Sequence, residues 1–171
     1  MKHSNVERIA FGGVIAALYV VLTCFAAVLN LANGAIQVRF SEALTILPVF
    51  TSAAIPGLTV GCVLANLLTG CAVWDVVFGS LATLIGAAGT RLLRKKPGLA
   101  WIPPVLSNMA IIPPILIKVY GTDRLEVFGA TFAGNSLWGM LAVTNGIGEV
   151  ISCGVLGLLL YHTAKRIPQL Q

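Results

Sequence analysis

The chain has 171 residues, of which 57% are hydrophobic and only 10% are charged. Because a soluble domain usually carries about 25% charged residues, this composition excludes an ordinary soluble protein and indicates a single integral membrane domain over residues 1–171. The net charge of +5 does not by itself indicate a nucleic-acid partner, since the position of positive residues matters more than their sum in a membrane protein.

Several apolar segments are long enough to cross about 30 Å of hydrocarbon, which takes about 20 helical residues. We predict membrane-spanning helices over residues 9–29, 73–93, 101–120 and 138–161. The region between about 43 and 69 is ambiguous. It is either one long kinked helix or two short helices divided near Pro56, because residues before a proline avoid the helical conformation.

The positions of the basic residues decide between these alternatives, because positive loops stay on the cytoplasmic side. Two short helices, over residues 42–51 and 56–70, place all three basic clusters on one side, whereas a single helix puts the middle cluster outside. The clusters are Lys2 with Arg8; Arg91, Arg94, Lys95 and Lys96; and Lys165 with Arg166. We therefore predict an all-α integral membrane protein with six transmembrane helices and both termini in the cytoplasm.

Glu149 lies in the middle of the last apolar segment. A charged group at the bilayer centre costs about 2.5–3.5 kcal/mol and is by default a candidate functional residue. Helical spacing puts it on one face with Trp138, Asn145 and Ser152. This face offers a ring for stacking, an amide, a carboxylate and a hydroxyl, which suits a planar heterocycle with adjacent N–H donors. The alternatives are that Glu149 is paired or protonated and that Trp138 is an interface anchor.

Asn108 precedes two prolines in the fifth predicted helix. Pro113 and Pro114 remove amide donors, and carbonyls at membrane depth need other partners. We predict a kink here, with Asn108 and the freed carbonyls lining a polar cavity. The alternative is a kink absorbed by Ser107 or by neighbouring helices.

Polar residues also collect at the predicted outer ends of the short helices. Gln37, Arg39 and Glu42 open the second helix, where they form either the wall of an outward-facing pocket or a helix cap with interfacial charges. Asn66 and Asp75 lie near the outer ends of the third and fourth helices. For these residues too, the alternatives are a role in the pocket and a role as a helix cap, since Asp75 also suits the positive end of a helix.

The first helix carries a stripe of small residues, and small residues four apart let helices approach closely. The stripe serves either internal packing or docking of a separate membrane subunit; it consists of Gly12, Gly13, Ala16 and Ala17. The sequence lacks a Gly-x-x-x-x-Gly-Lys-Ser/Thr loop, a His-Glu-x-x-His motif and a serine nucleophile elbow. We therefore expect no enzyme, cofactor or metal site, although an enzyme using Glu149 as acid or base remains a weaker alternative.

Several strings, taken in order along the chain, resemble the QueT family of substrate-binding S components of energy-coupling factor (ECF) transporters. They include Arg39-Phe-Ser-Glu-Ala-Leu-Thr-Ile-Leu-Pro48, Pro103-Pro-Val-Leu-Ser-Asn108 and Gly148-Glu149-Val-Ile-Ser152. The resemblance implies a six-helix subunit in the bacterial cell membrane that binds queuosine or its 7-deazaguanine precursors (preQ0, preQ1, queuine). It also implies a T component and two cytoplasmic ATPases as partners, with ATP used by those ATPases and no cofactor in this chain.

The family resemblance and the chemistry of the residues both indicate that the acids bind the ligand. A 7-deazaguanine presents a ring N–H beside an exocyclic amine, which matches the Glu149 carboxylate, and a cationic aminomethyl group suits Glu42 or Asp75. The small-residue stripe is similar to the surface that S components use against the T component. Two alternatives stay open: an S component for another vitamin or nucleobase, and a stand-alone membrane carrier or channel.

Overall fold

The computed structural model describes residues 4–29, 31, 37–127 and 129–167. In these residues the chain is mostly helical, and four helices are long and apolar enough to cross a membrane. In chain order the elements are α1 (Asn5–Val28), a 3-10 helix (Phe40–Val49), α2 (Ala54–Leu68), α3 (Val73–Leu92), a short 3-10 turn (Pro97–Leu99), α4 (Ile102–Lys118), β1 (Arg124–Val127), β2 (Ala130–Ala133), α5 (Asn135–Glu149), a π-helical segment (Val150–Leu156) and α6 (Gly157–Ala164). The last three elements form one continuous helix over Asn135–Ala164.

The first helix starts four residues before the apolar run from which residues 9–29 were predicted. Ser4 and Glu7 form a capping box, in which the Glu7 amide donates to Ser4 Oγ (3.2 Å) and the Ser4 amide donates to a Glu7 carboxylate oxygen (2.8 Å). A capping box satisfies amide donors at a helix N-terminus. It therefore fixes the start of α1 at Asn5, ahead of the segment that hydropathy alone identifies.

The segment predicted as a second helix over 42–51 is a 3-10 helix over Phe40–Val49, with most of its residues buried. At about 2 Å per residue it is roughly 20 Å long. The neighbouring α2 has 15 residues and is about 22 Å long at 1.5 Å per residue. Both are shorter than the hydrocarbon layer, and protein around the 3-10 helix supplies the packing that lipid supplies elsewhere.

Hydrogen bonds from two arginines connect α1, α3 and the segment 48–52 at one end of the bundle. Arg91, at the end of α3, donates to the Pro48 carbonyl (2.9 Å) and the Val49 carbonyl (3.1 Å). Arg8, near the start of α1, donates to Ser52 Oγ (2.8 Å) in the turn before α2. We call this the basic end, and the opposite end, where α2 ends and α3 begins, the cavity end.

Small residues bring α1 and α2 into close contact. A Cβ atom built on Gly57 would lie 2.6 Å from the Gly12 carbonyl oxygen, and one on Gly61 would lie 3.0 Å from the Ala16 backbone. Neither position tolerates a side chain without a shift of the helices. Gly12 and Ala16 of the small-residue stripe therefore serve internal packing.

The described chain is mostly helical, as the predicted all-α class requires, and a short β-hairpin between α4 and α5 is an element that was not predicted. β1 and β2 pair antiparallel, with Arg124 opposite Ala133 and Val127 opposite Ala130. Strands of four residues are too short to give a clear alternation of apolar and polar side chains. Positive φ angles at Gly129 (82°) and Gly134 (58°) allow the chain to turn at the hairpin and into α5.

Candidate functional site

An open polar cavity of about 380 Å³ lies at the cavity end, between α1, α2, α3, the end of α4 and the segment 37–39. We call it the outer cavity. Side chains from five parts of the chain line it, and the polar or ionisable ones are Thr23, Gln37, Arg39, Asn66, Thr69, Cys71, Asp75 and Tyr120. A larger groove of about 640 Å³ between α1 and α2 has a mainly apolar lining near the basic end, so it suits a helix or lipid better than a polar solute.

Asp75 forms one corner of the outer cavity. The Tyr120 hydroxyl donates to Asp75 Oδ2 (3.1 Å) and accepts from the Ala72 amide (3.2 Å). The Asn66 amide group donates to the Asp75 backbone carbonyl (3.5 Å). Partial burial raises the pKa of Tyr120, and the Asp75 carboxylate raises that pKa further. The phenol therefore stays protonated at neutral pH and remains a donor to Asp75.

Two carboxylates meet deeper in the bundle, in what we call the acid cluster. Glu42 of the 3-10 helix is 2% exposed and Glu149 of α5 is 6% exposed. One oxygen of each and the Cys153 sulfur all lie within 4.8 Å of one another. Tyr19 donates to Glu42 Oε1, and the Cys153 thiol donates to Glu149 Oε2 (3.2 Å). The Asn108 side chain is close enough to interact with Glu149.

The second carboxylate oxygen of Glu42 is buried and has no hydrogen-bond partner among the described residues. A buried acceptor without a donor is costly and rare. Arg39 interacts electrostatically with Glu42, Glu149 and Asp75, so one positive charge faces three acids. This arrangement can accept N–H donors or a positive charge from a bound molecule.

The same acids and Cys153 have the donor types and spacing that hold a metal ion. The Arg39 guanidinium, however, interacts with both Glu42 and Glu149. A fixed positive charge beside the carboxylates repels a divalent metal ion twice as strongly as a singly charged group, and it does not repel a neutral N–H donor, so the site favours a polar organic molecule over a metal ion.

Contacts with the last helix hold the segment 37–39 between the outer cavity and the acid cluster. The Arg39 amide donates to Ser152 Oγ (3.2 Å). Gly148 lies directly against the Gln37 carbonyl, so that any Cβ at this position would overlap the carbonyl oxygen. The helix becomes π-helical immediately after Glu149, and such turns often occur at functional sites.

The structure divides the residues predicted for the site into two connected groups. The outer cavity is lined by Gln37, Arg39, Asn66 and Asp75. The acid cluster contains Glu42, Glu149 and Asn108. Arg39 lines the outer cavity, and its positive charge interacts with acids of both groups.

The two remaining predicted residues, Asn145 and Trp138, belong to the last helix. Asn145 is half-buried, and its amide nitrogen has no partner among the described residues. Trp138 is 48% exposed in the first turn of α5 and does not line the outer cavity. Its shared helical face with Glu149 does not bring it to the acid cluster, because the two residues are three turns, or about 16 Å, apart along the helix.

Among the described residues, three side chains that donate hydrogen bonds to the acids were not predicted. Cys153 follows Glu149 by four residues on the same helix, and this spacing was a usable signal. Tyr19 and Tyr120 reach the acids from α1 and from the end of α4. Their partners are 23 and 45 residues away in sequence, so no local pattern identifies them.

A bundle of apolar helices that encloses paired acids beside an open polar cavity is typical of membrane transport proteins that bind a polar solute. The sequence profile of the QueT transporter family matches residues 9–166, and the chain belongs to this family of membrane transporters. It is 38% identical to a protein of Lactococcus lactis subsp. cremoris (strain MG1363) named "Queuosine precursor transporter QueT", over 98% of each chain. No solved structure matches the chain at a significant level.

Proposed function

We propose that the chain binds a queuosine precursor containing a 7-deazaguanine ring and mediates its uptake across the bacterial plasma membrane. The name of the L. lactis relative supports this choice of solute. The observation that carries the proposal is the acid cluster, where a buried Glu42 oxygen has no partner among the described residues and Arg39 connects the acids to the outer cavity.

The proposed ligand supplies the donors that this cluster lacks. A 7-deazaguanine has a ring N–H next to an exocyclic amine, and one carboxylate accepts both in parallel hydrogen bonds. In this proposal Glu149 holds that edge, while Glu42 or Asp75 receives a cationic aminomethyl group where the precursor carries one. Each charge-assisted hydrogen bond contributes about 1.5–3 kcal/mol. A few of them with one stacked ring reach about 12 kcal/mol, which corresponds to nanomolar affinity.

The proposed topology has six membrane crossings with both termini in the cytoplasm. The 3-10 helix runs from the cavity end to the basic end and α2 returns, as the Arg91 and Arg8 contacts indicate. The positively charged loops then share one side, and the positive-inside rule assigns that side to the cytoplasm. The outer cavity would open to the exterior, where a scarce nutrient is captured.

We further propose that the chain works as an S component with a T component and two cytoplasmic ATPases. The chain has no nucleotide-binding loop of its own, so ATP-driven uptake needs such partners. Half of the small-residue stripe remains free for docking. Gly13 is exposed, and a Cβ atom added to it would have nothing within 4 Å; Ala17 is exposed one turn later.

Gly13→Leu is expected to prevent co-purification with the T component and to leave the isolated protein folded. The added side chain meets open space within this chain, whereas it would block close approach of a second helix. The matched control is Val21→Leu, because Val21 is 63% exposed on the same helix, lies two turns beyond Gly13 and already carries a branched side chain. Equal recovery of the complex with Gly13→Leu and wild type would contradict docking at this surface.

Calorimetry on the purified protein tests the proposed ligand class. We expect preQ1, preQ0 or queuine to bind in the nanomolar to low-micromolar range and to raise the unfolding temperature, with guanine and common vitamins much weaker. Binding of an unrelated vitamin instead would favour the S-component alternative. Uptake into vesicles that contain this chain without ATPases would favour the stand-alone carrier.

A further inference from the structure

The outer cavity has one aromatic side chain among its described lining residues, Tyr120. Tyr120 is 48% exposed and follows the end of α4. The lining residues from α1 are small: Thr23, Ala26 and Ala27. A cavity that has small residues in one wall and an aromatic ring in another suits a flat molecule, because a heterocycle gains more from an aromatic face than from an aliphatic one.

The Tyr120 ring is also held in place. Its hydroxyl donates to Asp75 Oδ2 (3.1 Å) and accepts from the Ala72 amide (3.2 Å), so α4 is tied to the start of α3 across the cavity entrance. Two hydrogen bonds on one hydroxyl restrict rotation of the side chain. A ring that is fixed before binding loses little conformational entropy when a ligand stacks on it.

We propose that Tyr120 is the stacking residue for the ligand's heterocycle, with Asp75 and the Ala72 amide as the groups that position its ring. The inference rests on the proposed function for the ligand class and adds the residue that recognises its flat face. It reassigns the stacking role that the sequence suggested for Trp138, whose ring lies outside the cavity lining.

Two Tyr120 variants and two tryptophan variants test the proposal with preQ1 as the probe. Tyr120→Leu removes the ring and is expected to weaken binding roughly tenfold, in the range observed for bases stacked on aromatic side chains. It should also abolish the hypochromic change in the ligand's ultraviolet absorbance on binding. Tyr120→Phe keeps the ring, so we expect the hypochromism to persist and affinity to fall only about two- to threefold, the cost of ordering a ring that its two hydrogen bonds no longer hold in place. Trp74→Leu is the matched control, since Trp74 is exposed at the same end of the bundle and does not line the outer cavity.

Each outcome bears on a different claim. Unchanged affinity and hypochromism in Tyr120→Leu, with wild-type binding intact, would overturn the stacking role and leave the proposed function standing. Loss of hypochromism in Trp138→Leu instead would return the role to Trp138. Equal losses in Tyr120→Phe and Tyr120→Leu would assign the effect to the hydroxyl and overturn the proposal. If wild type binds no deazaguanine at all, the proposed function fails and the stacking assignment fails with it.

Discussion

Glu149→Gln is expected to weaken binding of a 7-deazaguanine by roughly 10- to 100-fold and, at the same time, to raise the unfolding temperature of the empty protein. The amide keeps the shape of the side chain and an acceptor for the Cys153 thiol. It removes the negative charge that makes hydrogen bonds to the ligand strong, a loss of about 1.5–3 kcal/mol. It also removes a buried charge that is costly while no ligand is present.

The opposite signs of these two effects make the prediction specific. A residue that only supports the fold would lose stability and affinity together, whereas a binding residue carries a cost that the ligand offsets. Calorimetry and thermal unfolding on the same detergent-purified samples measure both quantities. The control is Glu126→Gln, because Glu126 is an exposed acid on the hairpin and should change neither. Wild-type affinity in Glu149→Gln would show that Glu149 does not contact the ligand.

A second variant, Glu42→Gln, measured in the same experiment, distinguishes the ligand group that Glu42 binds from the one that Glu149 binds. Glu42 accepts from Tyr19 through one oxygen, and its other oxygen has no partner among the described residues. If Glu42 receives a cationic substituent, its variant should weaken preQ1 more than preQ0, whose nitrile carries no charge. If Glu149 holds the guanine-like edge, its variant should weaken both ligands equally.

The long helices and the burial of Glu149 among polar groups were predictable from local sequence. An apolar run of about 20 residues has few alternatives to a membrane helix, and α3 and α4 begin and end within two residues of the predicted boundaries. An acid inside such a run is conspicuous because lipid penalises it. In the structure Glu149 is indeed buried against other polar groups rather than exposed to lipid.

The rest of the site depends on contacts that sequence periodicity does not encode. The acid cluster brings together α1, the 3-10 helix, α4 and the last helix, and its hydrogen bonds join residues up to 111 positions apart. The 3-10 conformation of Phe40–Val49 reflects burial at the centre of the bundle, not a local preference. Tyr120 is close to Asp75 because the chain just after α4 lies beside the start of α3. No pattern within α4 predicts this contact.

The position of Gly148 leads to the second prediction with a large expected effect. Gly148→Ala should reduce ligand affinity at least about tenfold, because the new methyl group would overlap the Gln37 carbonyl oxygen and a close-packed interior relieves such overlap by moving the backbone. The helix is continuous here, whereas the segment 37–39 belongs to no helix or strand, so the segment is the part that must move. That segment carries Arg39, whose amide is bonded to Ser152 on the same helix. Its displacement would separate Arg39 from the two acids.

Gly139→Ala is the matched control for this variant. It makes the same substitution on the same helix, yet a Cβ at Gly139 meets nothing within 4 Å, and alanine favours a helix over glycine by about 1 kcal/mol. We therefore expect Gly139→Ala to bind normally and to unfold at an equal or higher temperature. Calorimetric titration of both variants with preQ1 measures the difference. Equal affinities would mean that the segment 37–39 can move away from the last helix without cost, and that the acid cluster binds its ligand independently of the place where Arg39 is held.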